Sequence, residues 1–545
     1  MNEKENMMSN EVQKQEHQTA TTEGIALSAL LETSLLSEPL NPELAKVRIQ
    51  SLAIDSRQVQ AGTLFFAIKG TAPGATLESL HSKIATFIQS ALDHGAGAVL
   101  SEVKPDILGL KASQIIYVPH LRQHIGAISK RFNQLTRPVQ TPLRVAAVTG
   151  TNGKTTVTRL LAELLTLSGR RSAVLGTTGN GILPNLVPSS HTTVDALQLQ
   201  NKLHDYAEQG AVFACLEASS HGLEQGRLAA TPVEVAIFTN LTRDHLDYHG
   251  TFEAYAAAKA ILFDPAHFPD LKYVVINAND SASERMLSHL SADIVVWRYA
   301  TNLSNAESKP DFYIINSTFS LKGAILEVQT PFGIVTLHSP LLGRFNVANL
   351  LAAVAGALAL GLTLPEIVSA VPQIVGAAGR MQLIADESLL LIVDYAHTPD
   401  AITQVLASLR PHTAGSLTCV FGCGGDRDRG KRPLMTRAAL EAADRVIVTS
   451  DNPRTEAIDA IIADMLHGLS AAELARITVE PNRRQAIQLA VRDSHAGDAV
   501  VVAGKGHEDY QEIDGVRHWF DDAVELAQAR QALLALPSTS DATQN

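Results

Sequence analysis

The residues with the plainest chemical meaning are Thr149–Thr156, TGTNGKTT. Gly150 and Gly153 let the backbone of the loop, which also holds Thr151 and Asn152 as nucleotide candidates, turn so that successive N–H groups face phosphate oxygens. Lys154 can reach the β- and γ-phosphates, Thr155 offers a hydroxyl to Mg²⁺, and Thr156 completes the first helical turn. Val148 stands where the usual pattern has its first glycine. The plain alternative is a glycine-rich turn that binds nothing. GKTT between a strand and a helix argues against it. The loop by itself says nucleotide chemistry, not which reaction.

Weaker candidates follow. The run Val212–Leu216 ends in Glu217, and a carboxylate at a strand tip beside a phosphate loop is where an Mg²⁺ ligand is expected. His245 and His249, in TNLTRDHLDYHG, could touch metal or phosphate, although a lone histidine is more often a hydrogen-bonded core or surface residue. Lys259 lies in an alanine-rich helix, where a lysine ordinarily runs along the surface. Cys419 and Cys423 have the look of a metal half-site. With no second Cys/His pair nearby, they read as structural.

The elements that must position these groups alternate strand, turn and helix, which predicts an α/β chain with mainly parallel sheets. The 545 residues divide into 24–143, 144–378 and 379–537, with polar tails at 1–23 and 538–545 and a polar, proline-marked linker at Asn133–Pro142. The fold expected is a central phosphate-loop-type, mainly parallel sheet followed by a Rossmann-like C-terminal domain. In that last block four apolar strands each end in a polar loop: DYAHTP, FGCGGDRDRG, DNPRTE and AGKGHEDYQ. Ligands in open α/β sheets sit at such strand ends. The net charge of −12 and 18% charged residues argue against a nucleic-acid or anionic-membrane binder. Three cysteines make no disulfide framework, no leader is visible, and the longest apolar run, Leu350–Leu362, is too short to span a bilayer. A cytoplasmic protein acting on small molecules as a monomer is expected.

In their order, TGTNGKTT, EASSHGL, FTNLTRDHLDYHG, GRFNVAN, GRM, DYAHTP, FGCGGDRDRG, DNPR and AGKGHEDYQ resemble the Mur ligases, over roughly residues 50–530. The resemblance implies an ATP-dependent amide-bond ligase of peptidoglycan synthesis that works through an acyl phosphate. It also implies roles. Thr155 and Glu217 match the ligands of one Mg²⁺, and His245 and Lys259 those of a second, Lys259 being carbamylated. Lys154, Glu217, His245 and Lys259 are then the catalytic set. Asn346, Asn349, Arg380, Asp394 and His397 match the nucleotide side of the domain junction. Ile54 and Ser56 match uridine-nucleotide contacts; the loop after Gly70 departs from the family pattern, and Thr71, Ala72 and Pro73 in it are further candidates for the same nucleotide. His191, Thr192, Thr193, Ser219, Gln225 and Arg227 match the surroundings of the muramoyl-dipeptide, His191 standing where Asn is usual.

DNPR goes with the branch of the family that adds meso-diaminopimelate. Arg427, Asp451, Asn452, Pro453, Arg454, Gly504 and Glu508 match its contacts. A bare Asn-Pro turn is the plain alternative. Arg454, however, offers a planar fork suited to a carboxylate. Diaminopimelate differs from lysine by one carboxylate, and a bound lysine would leave that arginine unpaired. Glu508 is placed to take the distal ammonium. The rivals are a lysine-adding ligase, a folylpolyglutamate synthetase, or a nucleotide-binding scaffold that has lost the chemistry. DNPR and the intact catalytic set speak against them.

Overall fold

The computed structural model describes residues 24–535, apart from 37, 71–75, 112, 190, 307, 321–322 and 386–387. The expected tails and the candidates Thr71, Ala72 and Pro73 lie outside these residues.

Three sheets organise the chain. The first has four parallel strands in sequence order, Ser51–Ala53, Thr63–Ala67, Ala98–Ser101 and Ile115–Tyr117. Side chains alternate across a strand. Leu64, Phe66 and Leu100 therefore pack on Leu121, Ile125 and Ile128 of the helix Leu121–Thr136. Phe65, Ala67 and Val99 pack on Ile84 and Ile88 of the helix Leu77–Asp93. The linker expected at 133–142 is shorter than its polarity suggested. Its first four residues complete the helix, where buried Asn133 donates to Asn201 Oδ1 (3.0 Å). The apolar stripe Leu121, Ile125, Ile128 keeps the helix docked and carries this polar end with it.

The central sheet has ten strands. Its parallel part runs Phe312–Ser320, Val295–Ala300, Tyr273–Asn277, Val233–Phe238, Arg144–Thr149, Phe213–Glu217, Ser172–Gly176. Antiparallel strands close both ends. Strands covered on both faces read as unbroken apolar runs, as in VEVAIF and FACLE. The helices Lys154–Leu167 and Arg344–Ala359 share one core face. Arg344–Ala359 is apolar almost all round, so it lies inside the domain. Gly356 allows this close approach, because a Cβ there would sit 2.8 Å from Ile237 Cδ1. Among the described residues, no helix is long and apolar enough to cross a membrane.

The third sheet runs Gln382–Ala385, Leu390–Asp394, Ala499–Ala503, Leu417–Phe421, Arg445–Val448, Ile477–Val479. It is parallel except for its first strand, and helices cover both faces. The four apolar strands singled out by sequence lie side by side, so their four loops emerge at one edge. That is the doubly wound arrangement expected, with its crevice at the strand ends.

Candidate active site

The phosphate loop leaves the strand Arg144–Thr149 and enters the helix at Lys154. Gly150 and Gly153 have φ of 148° and 89°, and a Cβ on Gly153 would meet Asn349 Oδ1 at 2.6 Å. The helix has no side-chain cap, so its first N–H groups are free to face an anion. A neighbouring segment, Thr239–Thr242, fixes the loop's shape. Thr151 N donates to Asn240 O (2.8 Å), Asn152 N to Asn240 Oδ1 (2.9 Å), and Thr239 Oγ1 to Asn152 O (2.6 Å).

Thr155 and Glu217 come together as expected. Thr155 Oγ1 donates to Glu217 Oε2 at 2.9 Å, and Glu217 is 2% exposed. Thr177, which sequence reasoning missed, donates to the same carboxylate from its N–H (2.7 Å) and its hydroxyl (3.2 Å). Two hard oxygens side by side suit Mg²⁺.

Lys259 is not the surface lysine its alanine-rich helix suggested. It is 1% exposed, donates to Gly150 O (2.7 Å) and lies over the Tyr255 ring. Lys154 Nζ donates to the same carbonyl (2.9 Å). Burial, reinforced by the Lys154 charge, holds the Lys259 amine well below the ordinary lysine range. A neutral buried amine is nucleophilic, the state that takes up CO₂ as a carbamate. His245 lies against the same Tyr255 ring (6.0 Å) and pairs with Asp244 (3.3 Å). His249 is turned inward, to Ser220 Oγ (2.9 Å) and Glu224 (3.4 Å). Among the described residues, no cluster of three or more His, Cys, Asp or Glu could hold a metal by itself.

At the domain junction Asn349 Nδ2 donates to Asn346 Oδ1 (3.0 Å), and Asn346 Nδ2 to Leu342 O (2.7 Å). Arg380 lies over the Tyr395 ring (4.6 Å), and His397 packs edge-on against the same ring (4.7 Å). Asp394 is buried and accepts from the N–H groups of Met381 (2.7 Å) and Ala396 (2.8 Å). Burial raises its carboxyl above the usual range, and Arg380 opposes the rise.

Ile54, His191, Gln225 and Arg227 line one cavity of about 220 Å³ between the first two domains, with Arg122 and Asp195. Ser56 is buried at the head of the short turn Ser56–Gln58. Thr193 Oγ1 donates to Glu217 O (2.8 Å) and accepts from Ser219 N (3.1 Å), and Arg227 donates to Thr193 O (2.6 Å). Thr192 Oγ1 accepts from Thr177 (3.1 Å). The dipeptide candidates thus run from the cavity to the Glu217 carboxylate.

The diaminopimelate candidates gather at the loop edge of the third sheet. Arg454 Nη1 donates to Gly425 O (2.8 Å), and Arg427 lies beside it across Gly424. Pro453 is buried. Asn452 Nδ2 donates to Glu508 Oε2 (2.7 Å). Gly504 is obligatory, since a Cβ would sit 2.7 Å from Asp451 Oδ2. Lys505, also missed, is wholly buried among these groups. Its signal was a lysine inside an apolar strand's terminal AGKG. Cys419 and Cys423 are buried as structural residues, their thiols pushed up to about 12 by desolvation.

A phosphate loop beside a buried carboxylate, with a cluster of charged side chains at the loop edge of a separate sheet, suits an ATP-dependent ligase, and the comparisons give that class. The Mur ligase middle domain matches residues 148–357, and the Mur ligase glutamate ligase domain residues 379–506. The chain belongs to the Mur ligase family. Within it, the chain is 44% identical over 491 residues to a UDP-N-acetylmuramoyl-L-alanyl-D-glutamate–2,6-diaminopimelate ligase of Pseudomonas aeruginosa, covering 89% of this chain and 95% of the relative. A solved structure of a ligase of that name shares 47% identity, with a TM-score of 0.69 over 94% of this chain and 100% of the other. A folylpolyglutamate synthase of Mycobacterium tuberculosis complexed with ADP is 19% identical, with a TM-score of 0.57 over 77% of this chain and 95% of its own. That last likeness is one of fold.

Proposed function

We infer that the chain joins diaminopimelate to UDP-N-acetylmuramoyl-L-alanyl-D-glutamate at the expense of ATP, forming ADP and phosphate in peptidoglycan synthesis. The observation that carries the reading is the pocket on the third sheet. It holds a guanidinium fork, Arg454, and a carboxylate, Glu508, both within electrostatic reach of Tyr510. A zwitterionic amino-acid end needs that pair.

A carboxylate is a poor acylating agent because its leaving group would be oxide. Phosphorylating the D-glutamyl carboxylate gives an acyl phosphate with a good leaving group, which the substrate amine then attacks. Lys154 and the helix N-terminus offset the repulsion between two anionic reactants. Thr193, Ser219 and Arg227 orient the dipeptide toward the loop, and Asn346, Asn349, Arg380, Asp394 and His397 hold the nucleotide side. Closure of residues 379–537 onto 144–378 excludes water from the activated carboxyl. The oxygens of Thr155 and Glu217, with His245 and a carbamylated Lys259, fit Mg²⁺. An ion held there would supply neutralisation of phosphate charge. In this reading residues 24–143 hold the uridine nucleotide, and the protein is a cytoplasmic monomer.

Phosphate release from ATP tests the proposal. It is expected to require the UDP-dipeptide and diaminopimelate together, with lysine a poor replacement. Equal release with lysine, or release without the dipeptide, overturns it.

A further inference from the structure

Lys505 is a fully buried charged group in the amino-acid pocket to which no role has yet been given. It is 0% exposed. Its Nζ lies 3.2 Å from Asn452 Oδ1, 3.4 Å from Glu508 Oε2 and 4.0 Å from Asp451 Oδ1. It also sits 5.3 Å from the centre of the Tyr510 ring. A buried ammonium persists where such counter-charges meet it.

Behind it, Arg483 and Asp522 form a closed pair at 2.6 Å with both side chains fully buried. Arg483 also feels Asp451 and Glu508. Around Lys505 itself, apart from the Arg454 fork near Tyr510, three carboxylates (Asp451, Glu508, Asp522) therefore face two cations (Lys505, Arg483), leaving one negative charge. Four further titratable neighbours, Tyr395, Cys423, Tyr510 and His507, are neutral at physiological pH. Burial pushes the Tyr395 phenol and the Cys423 thiol up to about 12, raises Tyr510, and lowers His507 to about 4. Arg380 lies beside Tyr395, and Arg454, Arg517 and Glu512 lie around Tyr510, at the rim. Lys431 and Arg432 approach from the Cys423 side.

We propose that Lys505 is a positioning residue that sets this pocket to one uncompensated negative charge, so that Glu508 stays ionised and receives one ammonium of the amino-acid substrate. The inference rests on the reading of diaminopimelate as that substrate. Without Lys505, Asp451 and Glu508 are like charges sharing a site, and Glu508 takes up a proton more readily. Burial and Asp451 already raise Glu508, while Lys505 pulls it back. A protonated Glu508 offers an ammonium no charge.

The test measures KM for diaminopimelate between about pH 6.5 and pH 9, with saturating ATP and UDP-dipeptide. Lys505→Met is expected to raise that KM about tenfold or more near neutrality while KM for ATP stays within about twofold. The penalty should shrink as pH rises and Glu508 ionises. Lys505→Arg should keep the native profile. In a Glu508→Gln background, Lys505→Met should add less than about twofold, since the carboxylate it serves is gone. A pH-independent penalty, a parallel rise in KM for ATP, or the same factor in both backgrounds overturns the proposal. Should Lys505→Met fail to fold, Lys505→Gln, which removes the charge but keeps hydrogen-bonding atoms toward Asn452, takes its place and should show the same penalty shrinking as pH rises. A pH-independent KM there refutes the charge argument. Native protein showing no diaminopimelate-dependent release would instead defeat the proposed function itself.

Discussion

Arg454 carries the claim that separates diaminopimelate from lysine, and its backbone allows that claim to be tested twice. Arg454 has φ of 52°, a left-handed conformation that costs a non-glycine residue about 1 kcal/mol. Two hydrogen bonds hold it there, from Arg454 N to Glu512 O (2.9 Å) and from Asp514 N to Arg454 O (2.7 Å). Of the five N–H donors of a guanidinium, one serves Gly425, and on the proposed reading a substrate carboxylate would take two in parallel. Removing that fork leaves the distal carboxylate unpaired in a pocket partly shielded from water. Such a loss costs about 2–5 kcal/mol, or roughly thirty- to several-thousand-fold in kcat/KM. Arg454→Ala and Arg454→Gly should lose diaminopimelate use to the same degree, because both lack the fork. Arg454→Gly should nonetheless be the more stable by about 1 kcal/mol, because glycine pays nothing for the left-handed turn. Arg454→Lys keeps a charge without the fork and should fall between. Phosphate release with varied diaminopimelate, beside urea unfolding of each variant, measures both effects. Lysine lacks the carboxylate, so its low activity should change little. Arg454→Ala kinetics within about threefold of native, or an equal loss with lysine, would refute the assignment.

Lys259→Ala should abolish ligation, and intact protein should gain the mass of CO₂ at Lys259 in bicarbonate. Full activity with a demonstrably unmodified Lys259 contradicts the carbamate. Arg483→Met strands the buried Asp522 charge and should destabilise the C-terminal domain by about 3–5 kcal/mol, whereas Arg483→Met/Asp522→Leu should recover most of it. The two outcomes are compared by denaturant midpoints, and a double variant as unstable as the single one defeats the argument. Cys215, Cys419 and Cys423 are all buried, so a thiol reagent at pH 8 should label none in the native state and all in guanidinium. Rapid native labelling would show that the cores open.

Much of this molecule was legible in its residues because the relevant physics is local. TGTNGKTT needs only a strand before it and a helix after it to become an anion site. VEVAIF and FACLE announce strands buried on both faces, and the four apolar strands of the third block already pointed to one binding edge. Arg454 could be read because a planar fork is a property of the side chain. What the tertiary structure alone decided concerns groups whose state depends on distant neighbours. Lys259 on its own sequence is a surface lysine. The fold buries it against Gly150, over a hundred positions away, and beside the Lys154 charge, and burial and that charge together hold its amine well below the ordinary lysine range. Thr177 became a partner of Glu217 through the pairing of adjacent strands, and Thr239–Thr242 became the brace of the phosphate loop in the same way. Lys505 drew no notice in AGKGHE. Its burial among Asp451, Asn452 and Glu508 follows from two strands, Arg445–Val448 and Ala499–Ala503, that end at the same edge of the sheet. Side-chain type fixes which chemistry is available. Desolvation and charge pairing, which are sums over the whole fold, fix which protonation state and which partner each group has.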